Sequence, residues 1–144
     1  MAAASEGNAL PSGVIIRQFH EDDFGAIQRL SSQEGWPTPL ERPDDTLQAW
    51  LNSTIALVAV SGEEDGVVGF LRALSDHHVS TFVCELFVEE SHRGQGLGRG
   101  LVKACHGAYP ETRLDLLATE SSRSFYEESG FRPFWGFRLS SSER

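Results

Sequence analysis

Apolar positions along the first fifty residues fall into one short run and two helix-spaced sets. Val14, Ile15 and Ile16 lead into Arg17, Gln18 and Phe19 and predict a strand. Glu21, Asp22 and Asp23 follow as acidic helix-start residues, with Phe24, Ile27 and Leu30 on one side of the helix they open. Gly35-Trp36-Pro37-Thr38-Pro39 predicts a loop whose prolines exclude helix. After Pro43, Asp44 and Asp45 open a second helix carrying Leu47, Trp50 and Leu51 at i, i+3 and i+4. Residues 1–12 show no period, are rich in Ala, Ser and Gly, and read as a disordered tail.

From Thr54 the period shortens to that of strands. Residues 54–60 and 67–74 read as partner strands across a polar turn at 61–66. Residues 81–88 are apolar almost throughout, as expected of a central strand covered on both faces, and the exception is Glu85. A helix with Leu97, Leu101, Val102 and Cys105 inward then leads to a strand at 114–118. Strand, helix and strand form a crossover unit, which makes the two strands parallel. A further helix over 121–129 ends at Gly130, and the aromatic-rich stretch 131–139 is expected to close the sheet. The order β-α-α-β-β-β-α-β-α-β describes an α/β (α+β) mixed sheet, expected as one domain over residues 13–144.

A chain of 144 residues is long enough to bury roughly 68–70% of its unfolded surface without staples. No apolar run approaches the ~18 residues of a membrane span, and the N-terminus has no signal-peptide pattern, so a cytoplasmic protein is expected. The net charge of −9 is uneven. Residues 1–80 hold 12 acids and four arginines, net −8, whereas residues 81–144 hold nine acids and eight bases, net −1. Such a balance is poor material for a nucleic-acid face. Between Ser91 and Pro110 there is no acid, while Arg93, Arg99 and Lys103 fall there, which suits a small polyanion. Cys84 and Cys105 form no Cys-x-x-Cys, and the five histidines show no metal-ligand spacing, so neither a disulfide framework nor a metal site is expected.

Gly94, Gly96, Gly98 and Gly100 alternate between the apolar strand and the following helix. Glycine costs a helix about 1 kcal/mol relative to alanine, so this density points to a backbone that a ligand approaches closely. Free N–H groups and the dipole at a helix start favour an anion there. The nucleotide P-loop is excluded, because no Lys-Ser/Thr follows. The dinucleotide fingerprint Gly-x-Gly-x-x-Gly is excluded too, because Arg99 and Leu101 stand where its last glycine is required.

Arg93-Gly94-Gln95-Gly96-Leu97-Gly98 resembles the Arg/Gln-x-x-Gly-x-Gly/Ala motif of the GNAT superfamily of acyl-CoA-dependent N-acyltransferases. Phe125-Tyr126-Glu127-Glu128-Ser129-Gly130-Phe131 resembles that family's second signature, and the order of elements agrees over about residues 13–139. The resemblance implies acetyl-CoA as cosubstrate, with its pyrophosphate on Arg93, Gly94, Gln95, Gly96, Leu97, Gly98 and Arg99. It also implies a gap between the parallel strands, where pantetheine pairs with Leu86, Phe87 and Val88. Family members often carry Asn seven residues before the tyrosine. Thr119 stands there in this chain, Ser121 and Ser122 are the expected substitutes in contacting the pantetheine arm, and Thr119, Ser122 and Phe125 are expected among the cofactor contacts.

The family's usual chemistry is direct attack of a neutral amine on the thioester, without an acyl-enzyme. The resemblance makes Tyr126 the general acid, with a packing aromatic as the alternative. A strand amide near Phe87 or Val88 would hold the oxyanion. Glu85 is a base or amine anchor if its burial raises its pKa, and otherwise a carboxylate paired with an arginine. Cys84 is a lesser candidate nucleophile. The acceptor pocket is expected from the first half of the chain, including the 75–80 loop. Trp36, Trp50, Trp135 and Phe137 are either its walls or core, and Glu34, Glu41, Asp44 and Asp45 either attract a cationic amine or form a solvated face. The expected activity is acetyl transfer to a primary amine of a small molecule or peptide, by a monomer or homodimer. The alternative is a silent CoA-binding module.

Overall fold

The computed structural model describes residues 10–63 and 66–143. Its elements are β1 (Val14–Gln18), α1 (Phe24–Gln33), α2 (Thr38–Glu41), α3 (Pro43–Leu51), β2 (Ile55–Ser61), β3 (Gly66–Ser75), β4 (Ser80–Val88), α4 (Leu97–Ala108), β5 (Arg113–Leu116) and α5 (Arg123–Glu128). One sheet runs β1-β2-β3-β4-β5. Its neighbours are antiparallel up to β4, and β5 joins β4 in parallel across the α4 crossover, as the sequence pattern predicts.

Alternation along the strands sends apolar side chains to both faces. On one face Val68, Leu71 and Val83 pack with Leu97, Leu101 and Cys105 of α4. On the other, Val67, Phe70 and Phe87 pack with Ile27 and Leu30 of α1 and Trp50 of α3. Trp50 is therefore core, edge-on to Phe70 at 5.5 Å. The acidic start of the first helix is built as the sequence suggests. Asp23 accepts two hydrogen bonds of 2.9 Å from the Arg17 guanidinium and one of 2.8 Å from the His20 amide.

Four expectations change. The Pro37–Pro39 stretch is not purely loop, because Pro39 sits in the first turn of α2, where no N–H is needed. Leu10 packs on the α4 side of the sheet, so 10–12 are not a free tail, and residues 1–9 of that expected tail lie outside the described residues. Leu51 faces outward, 47% exposed. Residues 131–139 form no strand: Pro133 removes a donor and Gly136 a side chain from the middle of the stretch, beside a β5 of only four residues. Phe134, Trp135, Phe137 and Leu139 are 76%, 91%, 91% and 71% exposed.

β4 carries a bulge. Arg72 pairs with Glu85 and Ala73 with Val83, leaving Cys84 unpaired. Upstream of it, four residue pairs, from Ser80↔Arg113 to Val83↔Leu116, join β4 to β5. Their base is clasped by a buried contact of 2.7 Å between the Thr81 and Thr112 hydroxyls.

Gly69 of β3 pairs with Val88 at the open end of β4. A Cβ there would meet the Phe87 carbonyl oxygen at 2.9 Å and Leu101 Cδ1 at 3.5 Å. Gly69→Ala is expected to destabilise the fold by about 1–3 kcal/mol, because backbone rather than a flexible side chain must shift. Urea unfolding measures this, and an unchanged midpoint would show that the sheet relaxes freely.

Candidate active site

Among the described residues, the β5 side of β4 has no strand partner beyond Val83. Glu89 N donates to Val68 O at 2.8 Å. Alternation along the antiparallel ladder then turns the backbone of Phe87 and Glu85 toward β3, and that of Leu86 and Val88 toward the gap. Phe87 was expected among the gap contacts and as an oxyanion donor. It is instead a core residue, 4% exposed and stacked on Phe70 at 5.4 Å. The Val88 carbonyl faces the gap but already accepts from Arg93 Nε at 2.7 Å. Leu86 N–H and C=O and Val88 N–H remain for an added chain.

The glycine loop follows immediately. Gly94 and Gly96 hold φ of +78° and +87°, the left-handed conformation that a side chain would strain. Among the described residues no side chain caps α4, and its first internal bond is Gly100 N to Gly96 O at 2.9 Å. The N–H groups of Leu97, Gly98 and Arg99 are therefore those that a helix start leaves over. Leu97 contributes only its backbone, since its side chain is 1% exposed in the core. Gly98 is small because Phe125 is close: a Cβ there would lie 3.2 Å from Phe125 Cζ. Gln95 and Arg99 are exposed. The arrangement fits an anion of pyrophosphate size. Arg93, expected to add charge to it, is committed elsewhere: Nη2 lies 3.1 Å from Glu34 Oε1, and the guanidinium lies over the Phe87 ring at 5.6 Å. It ties the loop to β4 and to the end of α1.

Tyr126 lies half-buried between Phe125 and Phe131, with ring centroids 5.0 and 5.5 Å away. Burial pushes its phenol above the ordinary tyrosine pKa, so it is protonated at neutral pH. Its hydroxyl has no hydrogen-bond partner among the described residues. Tyr126 shares one cleft with Thr119, Arg99 and the end of β5. Thr119 and Ser122 are turned on each other: Ser122 Oγ accepts from Thr119 N at 2.9 Å and lies 3.1 Å from Thr119 Oγ1. They start the turn leading into α5.

Glu85 is paired. Its Oε2 accepts from Arg72 Nε at 2.8 Å, with the two side chains 22% and 18% exposed. Arg72 Nη1 reaches Ser53 Oγ at 3.4 Å, and Ser53 donates to Ala49 O at 2.6 Å, which anchors the pair to the end of α3. Among the described residues Glu85 Oε1 has no protein partner. Sequence reasoning missed Arg72, although it is the only cation in the run 66–75 that forms β3. Its pairing with Glu85 follows from the bulge, which no residue pattern announces.

Burial raises the pKa of Cys84, and that of Cys105 to about 11, which leaves both thiols protonated and poorly nucleophilic. The hairpin of residues 75–80 lies at the paired end of β4 and β5, away from the gap. Of the first-half acids, Glu34 is paired with Arg93 and Asp45 with Arg42 at 2.9 Å. Trp36 stands edge-on to Phe87 at 5.9 Å, whereas Trp135 and Phe137 project outward at the α5 side. Among the described residues no helix is long and apolar enough to cross a membrane, and no three metal-ligating side chains gather.

The model of the acetyltransferase (GNAT) domain matches residues 52–133, which hold β2 to β5, the glycine loop and Tyr126. The chain belongs to the GNAT acetyltransferase family. Among curated proteins it is 27% identical over 143 residues to GCN5-related N-acetyltransferase 2, chloroplastic, of Arabidopsis thaliana, covering 86% of this chain and 55% of that one. It is 25% identical over 131 residues to histone acetyltransferase TAP1 of Glycine max, covering 82% and 55%. The chain thus spans about half the length of these relatives. Among solved structures, the GNAT family acetyltransferase SP0256 of Streptococcus pneumoniae matches at 25% identity with a TM-score of 0.71, covering 89% of this chain and 97% of that one. Aminoglycoside N-acetyltransferase AAC(6')-Iy, solved in complex with CoA, shares the fold at 17% identity and a TM-score of 0.72, covering 92% and 97%.

Proposed function

We propose that this GNAT chain transfers the acetyl group of acetyl-CoA to a primary amine, by direct attack within a ternary complex. The observation that carries the reading is the end of β4–β5 pairing at Val83, which leaves the backbone of Leu86 and Val88 open beside an uncapped, glycine-rich helix start. The amides of residues 95–99 would hold the pyrophosphate, and Leu86 would pair with the pantetheine arm as a strand edge pairs with a peptide. Bound acetyl-CoA supplies the activated thioester. Val88 N–H faces the gap as a donor to the carbonyl oxygen while it gains charge. Glu85, held by Arg72, offers Oε1 to an N–H of the amine, and this fixed position suits an anchor better than a mobile base. As the C–N bond forms and the C–S bond breaks, Tyr126 Oη donates a proton to the departing sulfur, and the amine releases one to Glu85 or water.

Acetyl-CoA consumption across a panel of diamines, amino sugars and peptides tests the reading, with calorimetric CoA binding measured alongside. CoA binding without turnover of any amine would instead favour the silent module. With both thiols held protonated, intact mass after incubation with acetyl-CoA is expected to show no added acetyl group. A stoichiometric, amine-labile adduct on Cys84 would replace direct attack with a two-step route.

A further inference from the structure

Phe134, Trp135 and Phe137 each expose three-quarters or more of their surface, although the stretch that carries them is seated on the fold. Phe131 N donates to Tyr126 O at 3.0 Å, and the two rings stand edge-on at 5.5 Å. Gly136 passes so close to the end of β5 that a Cβ there would overlap Leu117 Cδ2. Its two neighbours, Trp135 and Phe137, stay in water on either side of that contact. The sheet order ends at β5, so its outer edge has no strand partner among the described residues. Three aromatics so exposed present roughly 400–600 Å² of surface, at the upper end of the largest apolar patch usual on a monomer. A patch of that size calls for a cover.

Charge narrows what the cover is. Residues 117–142 hold three glutamates and three arginines, net zero, so the chain's whole charge of −9 lies outside them. An anionic lipid surface or a nucleic acid would be repelled by the rest of the chain and meet no net positive charge in this segment. A second copy of the chain is opposed least where the charge vanishes. A surface of mixed sign also answers itself across a two-fold, arginine to glutamate.

We propose that residues 131–139 form a self-association surface, on which two copies meet across a two-fold through Phe134, Trp135 and Phe137. The rings of both copies together bury roughly 800–1,200 Å². Leu139, which is also exposed, and the flanking arginines bring the total into the range of about 1,200–2,000 Å² of a specific interface. An aromatic centre with a rim of arginine is the composition that such interfaces favour. The low end of that range goes with a dimer of micromolar order that exchanges with monomer. Association also reaches the site, because the stretch packs on Tyr126 through Phe131 and lines the same cleft. A second copy would hold that wall in place. This last consequence rests on the acetyl-transfer reading above, whereas the association itself does not.

Sedimentation velocity on the full chain, from sub-micromolar to high micromolar concentration, decides it. Wild type is expected to pass from one copy to two. Trp135 is the most exposed of the three tryptophans, so emission should shift to shorter wavelength over the same range. Trp135→Ser/Phe137→Ser should stay monomeric throughout, with an unfolding midpoint at the dilute end equal to that of wild type. Leu40→Ser/Leu51→Ser, which removes exposed apolar side chains from α2 and α3, should dimerise as wild type does. A wild type that stays monomeric, or a Trp135→Ser/Phe137→Ser variant that still dimerises, would overturn the surface. Mass growing past two copies would replace the two-fold by a head-to-tail contact and overturn it as stated. A monomer whose Trp135 emission shifts only on phosphatidylserine vesicles would give the face to a membrane instead. Specific activity should rise with the dimer fraction, and flat activity in a proven dimer would remove the link to Tyr126. Absence of turnover with every amine would overturn the acetyl-transfer reading and leave the sedimentation result standing.

Discussion

Tyr126→Phe is expected to lower kcat by about a hundredfold while CoA affinity and the unfolding midpoint barely move. The substitution keeps the ring that packs between Phe125 and Phe131 and removes only the hydroxyl, which has no hydrogen-bond partner among the described residues. A general acid acts in the transition state, so its loss should fall on kcat, and a thiolate leaves well enough alone to hold the loss near the low end of the usual 10²–10⁴ range. The pH dependence has a definite sign. Burial raises the phenol pKa above its ordinary value of 10.0, so the acid form persists below that pH and is lost above it. Tyr126 should therefore contribute no falling limb between pH 7 and 9, and any limb from it should appear above pH 10 and vanish in the Phe variant. Full activity of Tyr126→Phe would make the residue a packing aromatic.

Gln95→Glu is expected to weaken CoA binding by about tenfold to a hundredfold, again with little change in stability. Gln95 is exposed between two left-handed glycines. A carboxylate there sits beside the proposed pyrophosphate without disturbing a neighbour, and like charges ~4 Å apart cost about 1–4 kcal/mol between bulk water and a protein surface. Gly98→Glu would deliver the same charge less cleanly, because its first carbon already presses on Phe125. Calorimetry with CoA, paired with thermal unfolding, separates the two effects. Undiminished affinity in Gln95→Glu would move the phosphate away from this loop.

The sheet was legible because each strand carries its own signal. The apolar run ending at Val88, the helix face of Leu97, Leu101 and Cys105, and the crossover to β5 all follow from local periodicity. The glycine loop was legible because glycine at a helix start is costly enough to need a reason. The stretch 131–139 misled for a related reason: its aromatics have the composition of a strand, but composition carries no information about whether a partner edge reaches that far. Arg93 and Glu85 were seen as charges whose partners were unknown. Glu34 lies 59 positions from Arg93, and Arg72 faces Glu85 only because one extra residue at Cys84 shifts the ladder. Partners so distant in sequence leave no trace in spacing.

The clasp between Thr81 and Thr112 bears on how firmly the base of the gap is held. Four residue pairs join β4 to β5, and apolar contact discriminates strongly against an alignment displaced by a single position. Such a displacement would exchange Leu114 and Leu116, which pack against the α4 layer, with Arg113 and Asp115, which face water. The Thr81 hydroxyl also lies 2.9 Å from Ser75 Oγ, and the Thr112 hydroxyl donates to Tyr109 O at 2.8 Å, so the pair joins the β3–β4 turn to the end of the α4 crossover. Losing either threonine would therefore loosen the join between strand and crossover at the base of the gap without freeing the register, which the alternation of leucine and charge along β5 already fixes.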